Sequence, residues 1–201
     1  MATNKALAAT SAAIQLLFQN AAQAPSATDW ANAQVEVYQA DDLQHPISGP
    51  VPKLSVYLYR VALSSVRRDR GPRVVAGGTT FLPSIPLDLH YLVTAWSAQA
   101  DTAQLLMGWA ISILNDTPVI PTSLLNTYQP GRAVFGTDES VELVWDPVSL
   151  TDLYDVWQVS TTHQAPSASY VARSVVIDSD VELEVGPLVQ QRQFAYSNDP
   201  A

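Results

Sequence analysis

The stretch LDLHYLVTAWSAQADTAQLLMGWAISIL, residues 87–114, decides the fold because it joins a long strand directly to an amphipathic helix. Its first part, 87–97, is rich in β-branched and aromatic residues and predicts a strand. Its second part predicts a helix capped by Asp101, with Gln104 in the capping-box position. The buried stripe of this helix is predicted to contain Leu105, Leu106, Trp109, Ile113 and Leu114.

The same two patterns recur on both sides of this stretch. Alternating or β-rich runs predict strands at 34–39, 53–63, 140–145 and 169–177, and in the first of these Val35 and Val37 share a face. A helix over 4–22 has its apolar stripe at Leu7, Ile14, Leu17, Phe18 and Ala21. A short helix is predicted to begin at Ser149, with Asp152 completing a capping box, and to present Leu150, Leu153, Tyr154 and Trp157.

The order of these elements predicts an α/β (mixed α+β) fold, a single domain in which helices flank a mixed β-sheet. At 201 residues and 47% hydrophobic content, the chain is long enough for one sizeable core. Residues 45–52 contain three prolines and a glycine and predict a loop. Residues 64–83 are polar, basic and glycine-containing, and predict an arm or hairpin that reaches a neighbouring molecule.

Composition favours a subunit of an assembly. Charged residues make up only 14% of the chain, against roughly 25% in soluble domains, so part of the surface is expected to be covered by other proteins. The chain has no cysteine, which excludes disulfides, thiolate zinc sites and cysteine nucleophiles. The N-terminus lacks the unbroken apolar run of a signal peptide, and no stretch is long enough to span a membrane. We therefore expect a soluble cytoplasmic protein.

Charge is unevenly distributed along the chain. Residues 138–201 carry the whole net charge of −9, whereas five of the ten basic residues lie between Arg60 and Arg73. An acidic end and a separate basic loop would suit contact between copies or with unlike neighbours, but two solvated surfaces that never meet are an equal alternative. The basic run contains Arg67, Arg68, Arg70 and Arg73 without interleaved aromatics, so a protein partner is favoured over nucleic acid.

No catalytic constellation is found. Asp88 and His90 lie two apart on a predicted strand and share a face, but a metal or acid–base site would need a third group. His45 and His163 lie in a loop and a turn without partners at ligand spacing, and nucleotide-binding and hydrolase motifs are missing. The carboxylate pairs Asp41-Asp42 and Asp138-Glu139 stand in polar loops, where solvation is the ordinary explanation.

Four carboxylates alternate after the last predicted strand: Asp178, Asp180, Glu182 and Glu184. A calcium site usually needs a tight glycine turn as well. An exposed edge strand or an acidic docking segment is the preferred interpretation.

Four segments in a fixed order carry a resemblance to a known family. They are LSVYLYRV (54–61), PLDLHYLVTAW (86–96), AQLLMGWAISILNDTPVI (103–120), and SLTDLYDVWQV (149–159) followed by SASYVARSVVIDSD (167–180). Together they resemble the cap, or tail-terminator, proteins of extracellular contractile injection systems, which are phage-tail-like particles. The resemblance runs from the first helix to about Asp180.

The resemblance implies a phage tail-terminator-like fold and a homohexameric ring that closes the distal end of the inner tube and sheath. Such a cap would end polymerisation and couple sheath to tube, assembling in the cytoplasm into a particle that is later released or anchored to a membrane. Its expected partners are copies of itself, the inner tube protein and the sheath protein, with no nucleic acid, cofactor, metal or catalytic residue. A completion or adaptor ring of a similar particle is the nearest alternative. A small ligand-binding domain or enzyme using Asp88 and His90 is a more distant one.

Two departures from the family limit what the resemblance implies. The 64–83 loop is long and arginine-rich, and the tail after Asp180 is short, without a second domain. The expected division is a terminator domain at 1–180, with the protruding loop at 64–83, and an acidic C-terminal tail at 181–201. The residues expected to form protein interfaces are Arg67, Arg68, Arg70, Arg73, Asp180, Glu182 and Glu184.

Overall fold

The computed structural model describes residues 4–25, 28–44, 52–65, 71–75, 77–158 and 164–184. His45 and His163 lie outside these ranges, and so does the predicted loop at 45–52 except for Pro52. In chain order the helices and strands are α1 Ala6–Ala22, β1 Gln34–Tyr38, α2 Ala40–Gln44, β2 Lys53–Leu63, β3 Arg73–Val74, β4 Thr80–Phe81, β5 Ile85–Trp96, α3 Ala100–Asp116, β6 Val119–Ile120, α4 Thr122–Leu125, β7 Val141–Trp145, α5 Leu150–Trp157 and β8 Ser167–Ile177. Two 3₁₀ turns, Thr28–Trp30 and Asn126–Tyr128, complete the described part.

Six strands form one sheet in the order β1-β2-β5-β8-β7-β6. Strands β1 and β2 are parallel, and every other pair in this sheet is antiparallel. The mixed sheet with flanking helices therefore confirms the predicted fold class. Strands β3 and β4 pair separately as a two-stranded hairpin.

Helices α1 and α3 cover one face of the sheet. Three alanines on the sheet-facing side of α1, Ala6, Ala9 and Ala13, are completely buried and leave room for the larger Ile14 and Phe18 to fill the core. Their small side chains also suit a helix, since alanine has the highest helix propensity.

A polar link joins α1 to the central strand of the sheet. The Tyr91 hydroxyl lies 2.9 Å from Ser11 Oγ, and Ser11 Oγ donates to the carbonyl of Leu7 at 3.1 Å. Because that serine proton is already used, the Tyr91 hydroxyl acts as the donor. Both hydroxyls in the core are thereby satisfied, as buried polar groups require.

The opposite face of the sheet carries a second, smaller core made largely of aromatic residues. Trp96 packs edge-on against Trp157 of α5 at a centroid separation of 5.7 Å, and its indole nitrogen donates to Ser55 Oγ at 2.8 Å. Tyr38 and Leu43 close this cluster from β1 and α2. The sheet is therefore covered on both faces.

The predicted burial is wrong at several positions. The apolar pattern predicts that Leu105 is buried in α3, but its side chain is 65% exposed, whereas Ala103 and Ala110 are buried. The small alanines let α3 lie close to the sheet, so the buried face is rotated away from the large residue. On β1, α1 covers Val35 but leaves Val37 exposed, and Tyr38 is buried on the other face.

The observed start of α3 also differs slightly from the predicted one, which placed the cap at Asp101. The helix begins at Ala100 with Gln99 as the capping residue, and Gln99 makes no side-chain capping hydrogen bond. Asp101 lies in the first turn, where its carboxylate accepts from the amide of Thr102 at 2.7 Å. A carboxylate at this position is still favourable to the helix dipole.

We predict that Tyr91→Phe lowers the free energy of unfolding at neutral pH and weakens its dependence on alkaline pH. The lost hydrogen bond costs about 1 kcal/mol. Burial raises the pKa of the Tyr91 hydroxyl well above its ordinary value. Above about pH 10, tyrosine in the unfolded chain loses its proton while folded Tyr91 keeps it, so stability falls as pH rises.

Urea unfolding between pH 7 and 11 measures both effects, with Tyr154→Phe as a matched control that removes an exposed hydroxyl. An alkaline decline equally steep in wild type and Tyr91→Phe would show that Tyr91 does not contribute to it.

Candidate assembly surfaces

The predicted arm, residues 64–83, contains a hairpin. Arg73 pairs with Phe81 and Val74 with Thr80, and the turn is closed by a hydrogen bond from the Val75 amide to the Thr79 carbonyl at 3.0 Å. Gly77 and Gly78 both have positive φ angles, +106° and +86°, which glycine adopts at little cost. The hairpin is confirmed for the described residues of the arm; its contact with a neighbouring molecule stays a prediction.

The first residues of the predicted tail are joined to the hairpin by an isolated β-bridge. The Leu82 amide donates to the Val181 carbonyl at 2.9 Å, and the Leu183 amide donates to the Thr80 carbonyl at 2.7 Å. Phe81 and Glu182 face each other across this antiparallel bridge. Residues 178–184 therefore do not form a regular strand, but Glu182 makes an isolated β-bridge to the arm.

Arg73 ties the arm to the end of β8. Its guanidinium lies 4.6 Å from the centre of the Phe81 ring, and Nη2 donates to the carbonyl of Ser179 at 3.1 Å. Its Nε lies 3.8 Å from Asp178 Oδ1, and these two side chains are only 19% and 9% exposed. Ser84 also donates to Asp178. Arg73 of the basic run and Asp178 of the acidic end are thus in contact within one subunit.

The remaining predicted interface residues divide into two groups. Asp180, Glu182 and Glu184 are exposed on the segment beside the arm. Arg67, Arg68 and Arg70 lie outside the described residues.

The hairpin and the bridged residues 181–183 together present two different faces. Strand pairing places Arg73, Phe81 and Glu182 on one face. The alternate residues Val74, Leu82, Val181 and Leu183 lie on the other and are all exposed. We call these four residues the arm face.

A second exposed apolar feature lies on α5. The Ser149 hydroxyl accepts from the Asp152 amide at 3.1 Å, which confirms the predicted cap of this helix. Trp157 is buried, but Leu150 is 86% exposed and Tyr154 is 57% exposed. Half of the predicted apolar stripe therefore points to solvent. We call Leu150 and Tyr154, with the adjacent Asp155, the α5 ridge.

Asp88 and His90 are not joined into one site. Asp88 accepts from the amide of Ser174 at 2.9 Å, where Ser174 has a φ of +56° and β8 bulges against β5. His90 Nδ1 lies 2.7 Å from Asp146 Oδ2. Each side chain therefore holds a neighbouring strand or loop in place. Among the described residues, no three His, Cys, Asp or Glu side chains are grouped so that they could hold a metal ion.

One residue in each of the carboxylate pairs Asp41-Asp42 and Asp138-Glu139 accepts a hydrogen bond from a backbone amide. Asp42 accepts from the Gln39 amide at 2.9 Å at the start of α2, and Glu139 accepts from the Gly136 amide at 2.7 Å. A cavity of about 160 Å³ lies beside this second turn and is lined by Phe135, Asp138, Glu139, Ser140, Val141, Ser174 and Val176.

Within the described ranges, no helix has both the length and the apolar character needed to cross a bilayer.

Comparison with known families identifies the chain. The family model described as the Pvc16 N-terminal domain matches residues 9–191. The chain belongs to the Pvc16 N-terminal domain family. This confirms the resemblance carried by the four segments of the sequence.

Two solved structures share the fold of this Pvc16 N-terminal domain. One is a PVC sheath/tube terminator in the extended state, from an extracellular contractile injection system; it has a TM-score of 0.63 and 15% identity, and the match covers 100% of this chain and 66% of that one. The other is the cap of the anti-feeding prophage, described as its tube terminating cap, with a TM-score of 0.50, 19% identity and coverage of 75% and 52%. The chain thus spans about two thirds and one half of these proteins. No curated protein matches.

We predict that Arg73→Ala loosens the pairing between the hairpin and residues 181–183 without unfolding the six-stranded sheet. Removing the guanidinium takes away its contacts with Phe81, Ser179 and Asp178, so the amides of Leu82 and Leu183 should exchange with solvent faster. Hydrogen exchange measures this directly. Amides of β5 should keep their protection, and Arg132→Ala, at an exposed arginine, is the control. Unchanged exchange at Leu82 and Leu183 would contradict the role assigned to Arg73.

Proposed function

We propose that this chain is a structural cap that closes the distal end of the inner tube and sheath of a contractile injection system. The observation that carries the proposal is the likeness in fold, over the whole chain, to a protein described as a sheath/tube terminator. Membership of the Pvc16 N-terminal domain family supports it over residues 9–191. In this role the chain ends polymerisation and couples sheath to tube.

The physical requirement on such a cap is asymmetry. Each layer of a growing tube exposes a surface that the next layer recognises, so a terminator must match that surface on one side and offer no copy of it on the other. A homohexameric ring meets this requirement, and its closure needs two different complementary patches on every subunit. The arm face and the α5 ridge are two exposed apolar features suited to such contacts.

The proposal includes no catalysis. Asp88 and His90 are engaged in hydrogen bonds, Asp88 with the Ser174 amide and His90 with Asp146. A net charge of −9 disfavours nucleic acid as a partner. The proposed partners are copies of this chain, the inner tube protein and the sheath protein. Assembly is proposed to take place in the cytoplasm.

Electron microscopy of particles assembled without this chain tests the proposal. We expect over-long tubes, unsheathed tubes or failed assembly, because nothing would stop the growing end. Supplying wild-type chain should restore capped particles of uniform length. Capped particles of normal length formed without the chain would overturn the cap function.

The arginines of the arm are proposed to contact a neighbour in the particle, as are Asp180, Glu182 and Glu184. Arg73 is already engaged within the subunit, so the informative change is Arg67→Ser, Arg68→Ser and Arg70→Ser together, with Arg73 retained. This variant should keep the wild-type thermal unfolding midpoint but assemble less well, with the largest deficit at low salt, where charge contacts are strongest.

Sedimentation of the purified chain and of particles measures this assembly, and multiples of the 21.8 kDa mass report the ring. Arg132→Ser, at an exposed arginine outside the arm, is the matched control. Assembly of the triple variant at the wild-type level would remove these three arginines from the mechanism.

A further inference from the structure

Strand β8 changes its side-chain register once along its length. Tyr170 and Ala172 lie in the core beneath α1 and α3, and further along the strand Val175 and Ile177 pack there. The first two positions are even-numbered and the last two are odd-numbered, whereas the side chains of a regular strand alternate strictly between its faces. The strand therefore contains one extra residue between Ala172 and Val175.

The extra residue forms a β-bulge opposite Asp88 of β5. The register of the two strands leaves residues 173 and 174 together opposite this one aspartate. Ser174 has a φ of +56°, in the left-handed region that non-glycine residues seldom adopt. A bulge leaves its extra residue unpaired in the ladder, so the Ser174 amide needs another acceptor. Asp88 Oδ1 supplies it at 2.9 Å.

At the bulge, β8 also changes its neighbours. Before it, β8 lies between β5 and β7, and its pairing with β7 ends at Arg173. Beyond it, the cavity of about 160 Å³ is lined by Ser174 and Val176 of β8 and by Val141 at the start of β7. Because a bulge bends its strand, the direction in which β8 leaves the sheet is set at Ser174.

The residues that hold the arm follow the bulge closely. Asp178, four positions after Ser174, lies 3.8 Å from Arg73 Nε, and the carbonyl of Val181 accepts from the Leu82 amide at 2.9 Å. Without the extra residue, the alternation along the strand would turn Asp178 to the opposite side and shift every later carbonyl by one position. The contacts of the arm therefore depend on the bulge.

We propose that Asp88 is a positioning residue for the arm. Its carboxylate holds the Ser174 bulge, and the bulge sets the register that brings Asp178 and Val181 to the arm. The left-handed conformation of Ser174 is unfavourable and persists because Asp88 and the two flanking core contacts of β8 fix it. This inference concerns the geometry of one chain, so it goes beyond the cap function and does not depend on it.

Hydrogen exchange of the purified chain tests the role of Asp88. In Asp88→Ala the Ser174 amide loses its acceptor, so the amides of Leu82 and Leu183 should exchange about tenfold faster, the effect of losing one hydrogen bond of this kind. The Ala95 amide donates to the Pro166 carbonyl at 3.1 Å, on the other side of the bulge, and should exchange at the wild-type rate.

Two further variants separate the hydrogen bond from a general loss of stability. Asp88→Asn keeps an oxygen that accepts from the Ser174 amide, so it should restore slow exchange at Leu82 and Leu183. Asp42→Ala is the matched control, because it removes another carboxylate that accepts from a backbone amide, that of Gln39. It should leave both arm amides unchanged.

Substitution of Ser174 itself tests the bulge conformation. Glycine adopts positive φ at little cost, so Ser174→Gly should keep the arm amides at least as protected as in wild type. A β-branched residue is strained there, so Ser174→Val should speed their exchange. If Asp88→Ala alone does not fold, Asp88→Ala/Ser174→Gly replaces it and is compared with Ser174→Gly, since the double variant relieves the strain but still lacks the acceptor.

Several results would overturn the inference: wild-type exchange at Leu82 and Leu183 in Asp88→Ala, an equal rise at Ala95, or no recovery in Asp88→Asn. Particle assembly adds a separate readout. If the arm contacts a neighbour as proposed above, Asp88→Ala should lower assembly and Asp88→Asn should restore it. Faster arm exchange with wild-type assembly would support the role of Asp88 and remove the arm from the proposed contacts, while the cap function is tested independently by particle length.

Discussion

Strand β5 lies in the middle of the sheet with its side chains buried on both faces from Tyr91 to Trp96, so two separate layers must cover it. Helices α1 and α3 form one layer, and the aromatic cluster beneath α5 forms the other. Burying apolar area on both faces of one strand supplies much of the driving force available to a domain of this size. It also commits the inner sides of these helices to the core, so contacts with other proteins must use their outer sides and the ends of the sheet.

The arm shows how one end of the sheet is held rigid, so that its exposed residues keep fixed positions. A two-residue pairing between β3 and β4 is too short to be stable alone. Backbone hydrogen bonds to Val181 and Leu183 at the start of the tail fix it to the end of β8, as does the Arg73 side chain, which packs on Phe81 and donates to Ser179. A partly buried arginine beside a buried carboxylate is a costly way to gain stability but an effective way to fix a geometry. The arm face is thereby presented in a defined orientation.

The long helices and strands could be predicted from the sequence. Burial and strand pairing that depend on contacts between residues distant in the chain could not. The strands at 53–63 and 87–97 and the cap at Ser149 follow from local propensity and hydrogen bonding, so they were predicted closely. Burial of Ala103 instead of Leu105 depends on how near α3 lies to the sheet, which periodicity does not encode. The pairing of Val181 and Leu183 with the arm joins residues about one hundred positions apart. No local signal separates such a pairing from a solvated tail, so the engagement of Arg73 within the subunit could not be predicted.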